Sequence, residues 1–346
     1  MPSGSYERYG LTGNPFRELA SENLDDVTIY HVNQDADTLL RSIRDEVFDR
    51  ENRAMVAITG PQGSGKTQRL LVTAAEAKAR KAFAVYLDLP TKAPLVFRGL
   101  AAAFEKSARE AGLVRMLGTP AWLRSVSALA KVKTEQIDPM DAGRRLGEAL
   151  NAAAPSFLLL NDLHNLVEPA EIQLVAKTLE EVSGRIKPGV LVLFTCYASY
   201  LAWLTANQPS LATRINRTVA LVTLSDDEAR LVLAKKLLAK RIVEELEPTY
   251  PFDRDAVHEL NLAAHGNPRR LFELADVALE RGVAVRAYQI DGDLVRAALT
   301  ARTPPPASTT PPPWQETTDD PPAAALPAPE TPAPAPIRRS IFGRAR

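Results

Sequence analysis

Eight residues, Gly60-Pro-Gln-Gly63-Ser-Gly65-Lys66-Thr67, have the types and spacing to grip a nucleoside triphosphate. They fit the pattern G-x-x-x-x-G-K-[ST], with an apolar strand-like run before them and a helical pattern after. Glycines let a backbone wind around an anion without Cβ clashes, so that successive N–H groups converge on phosphate oxygens. A helix starting at the end of such a loop adds the partial positive charge of its N-terminus. Lys66 is expected to bridge the β- and γ-phosphates and Thr67 to ligate Mg²⁺. The candidate nucleotide contacts are Gly60, Pro61, Gln62, Gly63, Ser64, Gly65, Lys66, Thr67 and Gln68, with ATP and Mg²⁺ as cofactors.

Phosphoryl chemistry at such a loop needs a second, acidic element. It is usually an apolar strand ending in an Asp that holds Mg²⁺ through water, beside a Glu that polarises the attacking water. The best candidate is Phe157-Leu-Leu-Leu-Asn161-Asp162-Leu-His164, in which the usual Asp-Glu pair reads Asn-Asp. Asn161 can accept from a metal-bound water but brings no charge, and Asp162 is one methylene shorter than Glu. Two arrangements remain open. In one, Thr67, Asn161 and Asp162 serve the metal and its water, nucleotide binding is intact and hydrolysis is slow. In the other the register slides by one, Asp162 serves the metal and His164 or another group orients the water. The run Phe83-Ala-Val-Tyr-Leu-Asp88 has the same shape, and Asp88 is read there as structural or a minor site residue.

The elements that must position these residues alternate along the chain. Helical periodicity over 35–50 places Leu39, Leu40, Ile43 and Val47 on one face. Apolar strands are expected at 54–59, 82–89, 157–160, 189–195 and 219–222, with a helix from about Lys66 to Lys81 and helices filling most of 90–151. Buried strands separated by helices imply an α/β fold, a P-loop NTPase parallel sheet sandwiched by helices. From Ser225 the pattern is purely helical. A capping box, Ser225 with Glu228, opens a helix to about Ile242. Others are expected over 253–264, from Asn267 with Pro268 in its first turn, and over 291–301.

Composition changes after Arg302: from Thr303 to Pro336 the chain is mostly Pro, Ala and Thr, which predicts an extended, disordered tether. In polyproline II form it would reach on the order of 100 Å. It ends in IRRSIFGRAR, where four arginines surround Ile337, Ile341 and Phe342, which reads either as a solubilising tail end or as a short docking peptide for a partner or a polyanion. The expected organisation is a nucleotide-binding domain (1–224), a small all-α lid (225–302), a disordered C-terminal tail (303–336) and a terminal peptide (337–346).

The 346 residues carry 42 basic and 42 acidic side chains, so net charge gives no general argument for nucleic acid or a membrane surface. One cysteine, Cys196, excludes a disulfide framework and suits a reducing, cytoplasmic setting. The uncharged stretch 188–213 reads as a buried strand, a loop and a short helix rather than a membrane span.

The sequence resembles the AAA+ ATPases, in the branch of the secretion ATPase ExeA, the transposition ATPases TniB and TnsC and the origin-recognition initiators. A Gly10-Leu-Thr-Gly-Asn14-Pro15-Phe16 opening, the phosphate loop, the LLLND strand and Gly266-Asn-Pro268-Arg269 follow in that order, and the likeness covers about 6–302. The resemblance implies Thr195 as a polar first sensor, Arg214 (with Arg217 as fallback) as an arginine finger for a neighbouring subunit, and Arg269 as the second sensor. It also implies that 29–32, from Ile29 to Val32, wraps the adenine. The chain departs from the initiators in lacking a winged-helix domain after the lid, and from ExeA in lacking a membrane span.

Three functions compete. The first is an ATP-dependent switch that self-associates as an oligomer and engages a protein partner through the C-terminal tail. The second is an ATP-dependent DNA-binding ATPase of the transposition or initiator type, with Arg109, Arg115, Arg124, Lys131 and Lys133 as a basic stripe. The third is a non-hydrolysing nucleotide-binding scaffold.

Overall fold

Five apolar runs pair as parallel strands: β1 (Ala54–Thr59), β2 (Phe83–Asp88), β3 (Ser156–Asn161), β4 (Val190–Cys196) and β5 (Arg217–Ala220). Their order in the sheet is β2-β3-β4-β1-β5. The computed structural model describes residues 6–17, 34–113, 118–132, 136–243 and 245–300. The expectations for 29–32, for Arg115 and Lys133, and for 303–346 lie outside the described residues.

Helices α1 (Gln34–Phe48), α2 (Lys66–Ala79), α3 (Ala93–Glu110), α4 (Ala121–Leu129), α5 (Pro139–Ala152), α6 (Pro169–Arg185), α7 (Ala198–Asn207) and α8 (Pro209–Ala212) connect and cover the strands. Strand side chains alternate between the two faces. Phe157 and Leu159 join Leu40 and Ile43 of α1 and Leu70 of α2 on one face. Leu158 and Leu160 meet Phe97 of α3, Leu146 of α5 and Leu179 of α6 on the other. Both faces of the sheet are therefore covered, which is why its central strands read as unbroken apolar runs.

The strand expected at 219–222 pairs instead at Arg217–Ala220, opposite Val56 to Thr59. β5 is an edge strand with only Val219 buried, so hydrophobicity alone misplaces it. The stretch 188–213 is β4 followed by α7 and α8, and no helix among the described residues is long and apolar enough to cross a membrane.

Four more helices, α9 (Asp226–Leu238), α10 (Arg254–Ala264), α11 (Pro268–Ala284) and α12 (Gly292–Thr300), share a second apolar core. The capping box of Ser225 with Glu228 forms, and Asn267 caps α11 by accepting from the Arg270 N–H at 3.2 Å. α9 stops at Leu238, short of the expected Ile242. Beyond it the chain turns to meet 10–12: Ile242 N–H donates to Gly10 O and Thr12 N–H to Lys240 O, both at 2.8 Å. The Arg241 guanidinium holds the turn by donating to the carbonyls of Glu247, Pro248 and Tyr250.

The N-terminal segment differs from its expected place with the sheet. Tyr6, Tyr9, Leu11 and Phe16 are buried in the core of the helical bundle. Asn14 fixes the segment there by donating to Asp276 and Glu280 of α11 at 2.7 and 3.0 Å.

Candidate functional site

β1 delivers the chain into Gly60 and α2 leaves from Lys66, so the loop between them stands at the C-terminal edge of the sheet. Two of its glycines are required by what surrounds them. Gly63 has φ 80°, and a Cβ there would meet Arg269 Cβ and Asn267 Oδ1, each at 2.7 Å. Gly65 has φ 89°, and its Cβ would meet Arg69 Nη1 at 2.6 Å. At both positions the space that a Cβ would take is filled by neighbouring side chains.

Those neighbours tie the loop to two separate parts of the molecule. Asn267 Nδ2 donates to Gln62 O at 2.6 Å and Arg269 N–H to Gly63 O at 3.4 Å, which brings the first turn of α11 against the loop. From the other side Arg69 donates to Gly65 O at 3.1 Å, and its Nε lies 3.2 Å from Asp37 Oδ1 of α1. Arg69 and Asp37 are both buried. Sequence reasoning did not find this pair, because nothing local marks a helix-face Asp as the partner of an Arg two elements away.

Lys66 Nζ donates to Gly60 O and Pro61 O, both at 2.8 Å, and lies 4.8 Å from the centre of the Tyr197 ring. Burial lowers its pKa, and the attraction of Asp162 opposes the shift. Asp162 is raised above its ordinary value, first by burial and further by Asp88, against the pull of Lys66 and a Thr195 hydrogen bond. For both groups burial outweighs their mutual attraction. A phosphate beside Lys66 and a cation beside Asp162 would each relieve that cost.

Because β4 lies between β1 and β3, Thr195 at its end reaches the acidic strand. Thr195 Oγ1 donates to Asn161 Oδ1 at 2.9 Å and accepts from the Asp162 N–H at 2.7 Å. Thr67 Oγ1 donates to the same Asn161 oxygen at 3.1 Å. Asn161 Nδ2 donates to Asp88 Oδ1 at 2.9 Å and to Asp162 Oδ2 at 3.2 Å. Asp162 turns the chain off β3 in the left-handed region, with φ and ψ both 57°, a conformation Asp tolerates better than most residues. The structure brings Thr67, Asn161, Asp162 and Thr195 together as one network. It also brings in Asp88, because β2 and β3 are neighbours.

His164 follows in the next turn, its ring 3.8 Å from that of Tyr197. Burial and the nearby Lys66 charge lower its pKa to about 4, so it is neutral at physiological pH. The Cys196 thiol is pushed up to about 12 by burial and is inert.

A cavity of about 330 Å³ opens between these parts, lined among others by Lys66, Thr67, Asp162, His164, Tyr197 and Arg269. That is within the usual size range of a small-molecule site. Arg269 reaches it with a largely exposed side chain, 3.6 Å from Glu273. Arg214 is exposed, makes no ion pair among the described residues and does not line this cavity. Arg217, the fallback finger, is tied within its own chain to Glu46 at 3.3 Å.

The donors fit Mg²⁺: a hydroxyl, an amide oxygen and a carboxylate are hard oxygen ligands. No group of three or more His, Cys, Asp or Glu among the described residues forms a cage for a metal, so phosphate oxygens and water would complete the shell.

The architecture has solved counterparts. The Orc1 protein of Aeropyrum pernix, solved in complex with DNA, is similar at a TM-score of 0.52 and 16% identity, over 82% of this chain and 69% of that one. Cdc6p from Pyrobaculum aerophilum is similar at 0.52 and 14%, over 83% and 70%. The fold they share is P-loop NTPase-like, a parallel sheet with flanking helices. The RuvB Holliday junction branch migration motor of Thermotoga maritima is similar at a TM-score of 0.46 and 15% identity, over 78% and 69%. No protein-family model matches the sequence, and no curated protein matches it significantly. Within this fold, the loop 60–67 and the end of β3 stand at one edge of the sheet and face a common cavity.

Proposed function

We propose that the chain is an AAA+ ATPase in which ATP and Mg²⁺ drive a switch: nucleotide binding closes the helical bundle on the sheet and promotes self-association. The observation that carries this reading is the clasp of α11 on the phosphate loop. Asn267 holds Gln62 O, and Arg269 shares a cavity with Lys66 and Thr67. A triphosphate there would touch both layers at once, and its preference for one arrangement of them is what shifts their equilibrium.

In this reading the backbone from Gly60 to Gln68 holds the phosphates. Lys66 exchanges the carbonyls of Gly60 and Pro61 for β- and γ-phosphate oxygens. Bound Mg²⁺ supplies charge neutralisation between the phosphates; Thr67, Asn161 and Asp162 are the residues that hold it or its waters. Asp162 orients the attacking water and Thr195 fixes both Asn161 and Asp162. Hydrolysis is slow because the carboxylate at 162 is short and the residue at 161 is neutral. Arg269 reports the γ-phosphate to the bundle, and Arg214 reaches the site of a neighbouring copy. The bundle, 225–302 together with 6–17, acts as the lid. The tether 303–336 presents the peptide 337–346 to a protein partner.

Arg214→Ala tests the intersubunit part. The variant should bind ATP as the wild type does while losing roughly 10³-fold in turnover, the scale of a missing arginine finger. Normal turnover by an assembled Arg214→Ala protein would remove the assignment.

A second reading, ATP-dependent DNA binding, is favoured by one surface. Arg98, Lys106 and Arg109 are exposed on α3, with Arg124 and Lys131 exposed on and just after the adjoining α4. DNA binding that requires ATP and falls steeply with salt would support it. The absence of binding at low salt would end it.

A further inference from the structure

We propose that Asp88 is a positioning residue of the magnesium site. Its carboxylate turns the Asn161 amide so that Oδ1 faces Thr67, and it carries the negative charge that the end of β3 lacks. The proposal rests on the nucleotide-site reading above.

The contact is built into the sheet. Asp88 and Asn161 are register partners, the last residues of adjacent parallel strands. The ladder continues past them: Leu89 N–H donates to Asn161 O at 2.9 Å, and Asn165 Nδ2 donates to Leu89 O at 2.9 Å. Tyr86, two residues earlier on the same face of β2, donates its hydroxyl to Asp88 Oδ1 at 2.6 Å. Tyr86 and Asn161 thus both donate to Asp88 Oδ1.

The partners decide how the amide lies. Asn161 is buried, and both ends of its side chain are used. Ionised carboxylates only accept, so the NH₂ group must face Asp88 and Asp162. The oxygen is then left for the hydroxyls of Thr67 and Thr195. Without Asp88, one of the two bonds that hold the NH₂ end is gone, and the amide is freer to turn its oxygen away from Thr67.

The same geometry accounts for an asparagine where a carboxylate is usual. An aspartate at 161 would have no N–H to give to Asp88 or Asp162 and would set a third acceptor against both. The usual strand-end pair has two carboxylates side by side on one strand. Here Asp88 and Asp162 also make two, divided between β2 and β3 with a neutral amide joining them.

The test uses the full-length chain and the affinity of a fluorescent ATP analogue, measured with EDTA and with Mg²⁺, with thermal melts on every variant. Asp88→Ala should bind in EDTA like the wild type and lose about tenfold or more of the affinity that Mg²⁺ adds, the usual cost of removing an outer-shell partner of a metal site. Asn161→Asp should also lower that gain. The swap Asp88→Asn with Asn161→Asp, which exchanges the two ends of one hydrogen bond, should restore most of it. A Mg²⁺ gain unchanged in Asp88→Ala, or increased in Asn161→Asp alone, would overturn the proposal. A wild type that binds no better than Lys66→Ala in EDTA would instead bring down the phosphate-loop reading, and Asp88's role with it. A merely structural Asp88 would lower the melting temperature and leave the Mg²⁺ gain intact, which also refutes the assignment.

Discussion

Lys66 and Asp162 face one cavity, and burial disfavours the charged form of each. His164 beside them is held neutral, and this has a measurable consequence. Its pKa in the folded chain is about 4, below the ordinary value of 6.5, so the unfolded state binds its proton first as pH falls. His164 therefore costs no stability at neutral pH and subtracts stability progressively from about pH 6.5 down to about pH 4. Denaturation midpoints of wild type and His164→Gln should run parallel above about pH 7 and diverge below it, the variant losing less. Equal acid sensitivity would show that His164 is not buried as described. At this scale the loop 60–67 was legible because its chemistry admits few residue types. The contact of Asp88 with Asn161 was not, since it depends on β2 lying beside β3, and no spacing within the sequence states which strands are neighbours.

Among the elements, α1 and α2 are joined by Asp37 and Arg69 under the phosphate loop. Breaking a buried ion pair leaves one charge uncompensated, so Asp37→Ala should cost about 3–5 kcal/mol in urea denaturation. A loss below about 1 kcal/mol, the value of an exposed pair, would mean that the pair is solvated. The variant should also bind nucleotide more weakly, because Arg69 would no longer be held against Gly65 O. The central strands were legible as apolar runs, since a parallel sheet covered on both faces needs them. The edge strand β5 was misplaced because only Val219 of its four residues is buried. The end of α9 was misjudged for a different reason. Its helical pattern continues through Ile242, but the chain gives up those helical bonds for longer-range ones to Gly10 and Thr12.

Across the whole molecule, the N-terminal segment is the largest difference between sequence reasoning and structure. Phe16 is fully buried, with its ring 6.0 Å from those of both Phe252 and Phe272. Phe272 also lines the cavity beside the loop 60–67. Phe16→Ala should destabilise the chain by about 3–5 kcal/mol, the range for removing a buried aromatic ring. A cost below about 1 kcal/mol would mean that the segment does not belong to this core. The motif around Asn14 was visible in the sequence, but its partners Asp276 and Glu280 lie more than two hundred residues on.

The central claim, an assembling ATPase with its site at 60–67, is tested most directly by phosphate release from ATP and Mg²⁺ across a range of protein concentrations, with Lys66→Ala in parallel. Slow turnover per chain that rises with concentration and vanishes in the variant is the expected result. Turnover per chain that is independent of concentration, or equal in Lys66→Ala, would contradict it.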